Sequence, residues 1–199
     1  MRLIFGIIFL SMLFFSHASA QYFEGGILAG LTASQMDGDM LGGYNKPGLT
    51  AGMWVGRTLN AKWNYRAEFK YTMKGAASNN ATDQYTFYRK TLHYIELPFK
   101  VSYNFSGQLF AEAGISAAYL AYATINTGNG LWDATGPMKR YELNSLAGIA
   151  YHFNEKVSLN FIFSYSIFPV SHLPGNLTIW NTYAQYNNVL ELSVYYRVK

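Results

Sequence analysis

The 199-residue chain has no cysteine. That excludes a disulfide scaffold, a thiolate zinc site, a cysteine nucleophile and a lipid-bearing lipoprotein cysteine. Charge is scarce too, at 13% of residues against 50% hydrophobic, a balance that a disordered chain does not have. After residue 20 no apolar run approaches the roughly 20 residues of a membrane-spanning helix. Gly25-Gly26 and Gly42-Gly43 lack the remainder of a phosphate loop, and no nucleic-acid motif occurs. The formal net charge of +4 is spread along the chain, so nucleic acid is not an expected partner.

Aromatic residues are plentiful instead, with 17 Tyr, 14 Phe and 4 Trp. The first residues stand apart. Met1-Arg2 is basic, Leu3 to Phe15 is an apolar run, and Ala18-Ser19-Ala20 is a small-x-small site. This pattern predicts a secretory signal peptide over 1–20, cleaved after Ala20, with the mature domain over 21–199. The apolar run is too short for a transmembrane anchor. Any membrane span of the exported chain must then be a strand.

Alternation supports that reading. From Trp63 to Lys74 the odd positions are Trp63, Tyr65, Ala67, Phe69, Tyr71 and Met73, and every even position is polar or charged. Unbroken period two means a strand with one apolar and one wet face. The pattern returns at Ile95–Phe105, Leu143–Phe153, Val157–Tyr165 and Leu190–Arg197. Weaker versions run over Ile27–Ala33, Leu49–Val55 and Ala111–Tyr119, giving eight strands. Connections alternate between tight turns (59–62, 106–107, 154–156) and long stretches (36–46, 75–90, 126–139, 169–185). In outer-membrane barrels short turns face the periplasm and long loops the outside. Trp63, Tyr65, Tyr103, Phe105, Tyr151, Phe153 and Tyr196 fall near the short turns, and Tyr71, Tyr119 and Tyr165 near the long loops, as two interfacial girdles require. The expected fold is all-β, an eight-stranded antiparallel transmembrane β-barrel of the outer membrane. A soluble calycin-like barrel, with its apolar face inward around a greasy ligand, is the competing architecture.

Six of seven glutamates, Glu24, Glu68, Glu96, Glu112, Glu142 and Glu191, fall on the polar face of a strand, and Glu155 lies in a turn. The same face carries Arg66, Lys70, Lys74, Lys100 and Arg197. An eight-stranded barrel is filled by side chains rather than open to water, so these residues form a candidate interior network of structural ion pairs. The competing reading is a proton or small-ion path.

Catalysis finds little support. Beyond His17, the histidines are His93, His152 and His172, with no second His at metal-ligand spacing, and Ser171-His172 are sequence neighbours, which rarely gives nucleophile–base geometry. Beyond the expected signal peptide no His-x-Ser triplet of the lipid A deacylase type occurs. All four aspartates, Asp37, Asp39, Asp83 and Asp133, fall in long loops; Asp37, Asp39 and Asp83 only loosely resemble the acidic dyads of larger outer-membrane proteases. No enzyme, metal or cofactor is expected. Lys46, Lys74, Arg89, Lys90, Lys139 and Arg140 lie at the bases of the long loops, where a basic collar would face lipopolysaccharide phosphates.

Tyr65 to Gly75 and Tyr94 to Lys100 resemble the paired signatures of the PorT-like outer-membrane beta-barrel family. There a strand with a central Glu ends in Tyr-x-x-Lys-Gly, and the next carries Tyr-hydrophobic-Glu-hydrophobic-Pro. The likeness continues through Phe110 to Gly114 and Asn188 to Arg197, and Pro98 stands where the family has its proline. The terminal Lys199 departs from the aromatic ending common among barrels. The resemblance implies a small outer-membrane barrel; its namesake takes part in type IX protein secretion. The expected role is a non-catalytic structural or interaction component of the envelope, contacting outer-membrane lipid, lipopolysaccharide and, through its long loops, other envelope or secretion proteins. Accessory secretion work and a narrow channel are the alternatives.

Overall fold

A strand that alternates over a dozen residues must meet two different surroundings, and closing the sheet on itself supplies them. The computed structural model describes residues 23–78, 87–172, 178 and 183–198. The expected signal peptide, Asp83 and Lys199 lie outside the described residues. The strands are β1 (Glu24–Asp37), β2 (Lys46–Thr58), β3 (Trp63–Ala77), β4 (Arg89–Ser106), β5 (Leu109–Asn126), β6 (Leu131–Asp133), β7 (Tyr141–His152), β8 (Val157–Ser166) and β9 (Tyr186–Arg197). Each of the eight long strands pairs antiparallel with its neighbours. The pairing of β1 with β9, together with that of β4 with β5 and β5 with β7, closes the barrel.

The expected eight-stranded barrel is therefore present, with two differences at its outer end. The short β6 lies in the stretch expected to be loop and forms a hairpin with β5 through Thr124↔Asp133 and Asn126↔Leu131. Arg89 and Lys90 open β4 instead of ending a loop, and pair with Ala77 and Ala76. A tilted strand needs only about 9–11 residues to cross the hydrocarbon. At 18 residues each, β4 and β5 stand well beyond it and continue as a wall. Pro98 interrupts the β3–β4 ladder between Ala67↔Phe99 and Lys70↔Glu96, as a residue without an N–H must.

The apolar face points outward. Ile27, Leu31, Leu49, Met53, Phe69, Leu97, Phe99, Ile115, Ile149, Phe161 and Leu192 are all exposed, flanked by Trp63, Phe105, Tyr151, Phe153 and Tyr196 at the short-turn end. This inverts the arrangement a calycin-like barrel needs and matches a wall against lipid. Tyr165 departs from the expected outer girdle: it is buried, and its hydroxyl donates to Asp37 Oδ2 at 2.9 Å.

The main apolar core lies inside the barrel, at its outer end. Met36, Ala76, Leu92, Tyr94, Ala118, Leu120 and Ala123 from the wall pack with Ala134, Met138 and Val170 from the connections that follow β6 and β8. Backbone bonds pin those connections over the mouth: Ala134 N donates to Ala123 O, Lys139 N to Val170 O and His172 N to Pro137 O, each within 2.9 Å. In the β1–β2 connection, Asp39 Oδ1 accepts from Leu41 N at 2.8 Å, while its Oδ2 is buried without a partner.

Two outcomes follow from this packing. A methyl at Gly52 would run into the Phe69 carbonyl oxygen and lie 2.5 Å from Lys70 Cβ; Gly52→Ala is therefore expected to lower the urea midpoint of the refolded barrel, read by its folded and unfolded gel mobilities. Burial pushes the Asp39 carboxyl up to about 6, against the opposing Leu41 hydrogen bond and the Lys90 charge. Its folded value exceeds its unfolded one, so docking of the 38–45 connection weakens as pH rises toward the folded value and stays weak above it. Hydrogen-exchange protection there should fall between about pH 4 and about pH 6 and level off above that, and Asp39→Asn should abolish that dependence.

Candidate functional site

Five successive even positions of β3, Arg66, Glu68, Lys70, Thr72 and Lys74, project into the lumen, and glutamates from four other strands meet them. Nearest the periplasmic end is a closed quartet. Arg66 Nη2 lies 2.6 Å from Glu112 Oε1, and its Nε 3.1 Å from Glu68 Oε1. Lys100 Nζ lies 2.6 Å from Glu68 Oε1 and 3.6 Å from Glu112 Oε2. Neutral groups complete it: Asn160 Nδ2 donates to Glu112 Oε2 at 2.9 Å, and Ser102 Oγ to Glu112 Oε1 at 3.0 Å. The Tyr195 hydroxyl accepts from Lys100 Nζ and donates to Glu68 Oε1, both at 2.9 Å, while Arg66 lies 4.3 Å above its ring.

Above the quartet, Lys70 pairs with Glu191 at 2.5 Å. Higher still, Lys74 sits between Glu96 at 2.5 Å and Glu142 at 3.3 Å. Thr72 Oγ1 donates to Glu96 Oε2 and Asn187 Nδ2 to Glu142 Oε2, each at 3.1 Å. The most open of these charged side chains, Arg66, is 11% exposed. Desolvating a charge costs several kcal/mol unless partners replace water, and every member here has an ionic partner.

The lumen thus brings together eight of the nine network residues predicted from sequence: Glu68, Glu96, Glu112, Glu142, Glu191, Arg66, Lys70 and Lys100. Arg197 is the exception. It lies at the periplasmic mouth, paired with Glu24 at 3.0 Å, because the strand reaches solvent there. Two cations expected in the basic collar, Lys46 and Lys90, are instead buried and turned inward, since they share the strand phase of Thr50 and Glu96, and Lys74, expected both at a loop base and on the polar strand face, is lumenal. Arg89 and Arg140 remain exposed and Lys139 half-buried. Sequence reasoning missed Tyr94 and Tyr195, both fully buried; each is in phase with a lumenal glutamate, a signal that their aromatic character obscured.

A cavity of about 320 Å³ opens below the quartet to the periplasmic side, lined among others by Trp54, Arg66, Phe110, Glu112, His152 and Tyr195. His152 stacks on Phe110 there, ring centres 4.3 Å apart. His93 Nδ1 lies 2.6 Å from the Tyr71 hydroxyl near the outer end of the wall. Ser171 Oγ donates to the Pro137 carbonyl at 3.4 Å. Among the described residues no three His, Cys, Asp or Glu side chains are grouped to hold a metal.

No curated protein matches the chain. Solved structures that share its architecture include the following two. Ail, the attachment invasion locus protein of Yersinia pestis, is 14% identical with a TM-score of 0.50, over 87% of this chain and 97% of that one. Neisserial surface protein A is 15% identical with a TM-score of 0.54, over 87% and 96%. At these identities the likeness shows the fold. The family model described as outer membrane protein beta-barrel domain matches residues 16–172. A closed barrel with its apolar face outward and its charges inward fits that match, and the chain belongs to the outer membrane protein beta-barrel domain family.

Proposed function

We propose that the protein is a non-catalytic structural or interaction component of the outer membrane, with a solid barrel as its base and its outer connections as its contact surface. The observation that carries this reading is the filling of the lumen. An ion entering from the periplasmic cavity meets the Arg66–Glu68–Lys100–Glu112 quartet, and beyond it the apolar plug around Leu92, Leu120, Met138 and Val170. A narrow conducting path would need water or mobile polar groups across that plug, where apolar side chains are close-packed.

The contact role is supported by the β5–β6 hairpin, which raises Leu131 and Trp132 above the mouth at 65% and 62% exposure. Large apolar groups held in water on a projecting edge are characteristic of a binding surface. Arg89, Lys139 and Arg140 around it suit the phosphates of lipopolysaccharide. Lipid and lipopolysaccharide are the partners proposed for the wall and rim, and an envelope or secretion protein for the hairpin.

Three results test this. The refolded barrel should give no steady conductance in planar bilayers; stepwise channels that vanish in Glu68→Gln would favour the conducting alternative. Mild-detergent extraction should recover a stoichiometric envelope protein that Leu131→Ser/Trp132→Ser loses while the heat-modifiable gel shift persists. Type IX secretion components in that eluate would support the role suggested by the PorT-like motifs, and a barrel recovered alone would sink the interaction reading. Glu112→Ala, which leaves Arg66 short of a partner, is expected to cost about 3–5 kcal/mol in urea unfolding.

A further inference from the structure

The quartet holds two cations and two carboxylates, and Lys70 with Glu191 is likewise neutral. The remaining group is not balanced. Lys74 alone serves both Glu96 and Glu142, so the buried network carries five carboxylates against four cations. Register places the surplus. Ala118 pairs with Glu96 on one side and Glu142 on the other, so the two carboxylates stand on strands flanking a single small residue.

A second feature lies directly beside this group. Ser116 Oγ, both side-chain amide atoms of Asn144 and Asn187 Oδ1 are buried without any hydrogen-bond partner. Ser116 pairs with Asn144 across β5 and β7, and Asn144 follows Glu142 by two residues on the same face. Asn187 already touches Glu142 through its Nδ2. Orphaned buried polar atoms are rare because each costs about 1–3 kcal/mol. Here the Asn187 oxygen, an acceptor without a donor, belongs to the amide that touches Glu142, the carboxyl that shares its cation.

We propose that Glu142 is a proton-binding site of the barrel, carrying one proton at neutral pH. A buried carboxylate without its own cation takes up a proton rather than remain charged. The resulting O–H supplies the missing donor, because half a rotation of the Asn187 amide turns its Oδ1 toward Glu142. Glu96 keeps Lys74, which lies nearer to it, and the hydroxyl of Thr72. The other ionisable groups facing the site are Tyr94, whose ring lies 4.9 Å from Lys74 Nζ, and, toward the periplasmic end, Lys70 with Glu191. β5 and β8 add only Ser116, Ala118 and Ser166 there, and Met36 of β1 belongs to the plug that closes the outer side. The site needs no room for an ion, and it stands whether or not the outer hairpin has a partner.

Infrared spectroscopy of the refolded full chain, with carboxyl-labelled glutamate, tests this at neutral pH. The expected spectrum contains a protonated-carboxyl band equal to one group per chain. Glu142→Gln should remove the band without lowering the urea midpoint, whereas the surface control Glu155→Gln should retain it. Should Glu142→Gln fail to fold, Glu96→Gln, which lets Lys74 neutralise Glu142, should also lose the band. Absence of the band in the unsubstituted chain overturns the proposal. If the urea midpoint then rises with sodium or potassium concentration, an alkali cation balances the charge in place of the proton.

Discussion

Lipid on one side of the wall leaves the chain a single place to put its polar residues. Eight strands enclose a lumen too narrow for bulk water, so the side chains that avoid lipid must fill that space and satisfy one another. The Arg66–Glu68–Lys100–Glu112 quartet is the arrangement on which the rest depends. It joins β3, β4 and β5 through charge, and Tyr195 of β9 and Asn160 of β8 through neutral hydrogen bonds. A soluble protein packs apolar groups in its centre; here a lattice of paired charges fills that place along much of the axis.

The barrel is not uniform along that axis. Its periplasmic end is open and polar, its middle is ionic, and its outer end is apolar where Ala134, Met138 and Val170 fold in from the connections. The transition falls near Lys74 and Tyr94, where an ammonium lies against a ring and the last carboxylates meet the first buried aliphatic groups. Charge and hydrogen bonding balance closely below that level and less well at it. The outer connections are consequently anchored by hydrophobic packing, and the β5–β6 hairpin extends from a fixed base.

Much of this was legible in the residues. Strict alternation over Trp63–Lys74 specified a strand with two unlike faces, and its recurrence gave the number of strands. The lumenal glutamates were readable because a carboxyl in phase with lysines and opposite a run of Phe, Ile and Leu cannot face lipid. Tyr94 and Tyr195 were harder, since a tyrosine suits an interfacial girdle as well as an ionic interior, and only phase distinguishes the two. The collar lysines Lys46 and Lys90 were misplaced because nearness to a loop says nothing about which face a strand residue occupies. The extension of β4 and β5 past the membrane was hidden as well, because residues there alternate less cleanly when a folded-in connection covers one side.

The sequence by itself determined the class of structure, the inward set of charges and the end of the barrel from which long connections leave. These depend on period-two patterning and turn length, which are local properties. Tertiary structure decided which charge meets which, that Lys74 must serve two glutamates, that Arg197 stands apart with Glu24, and that the outer mouth is plugged. Those outcomes are fixed by the stagger between neighbouring strands and by barrel closure. Both bring residues distant in sequence, such as Arg66 and Glu112 or Lys70 and Glu191, within hydrogen-bonding distance, and no local pattern encodes that stagger.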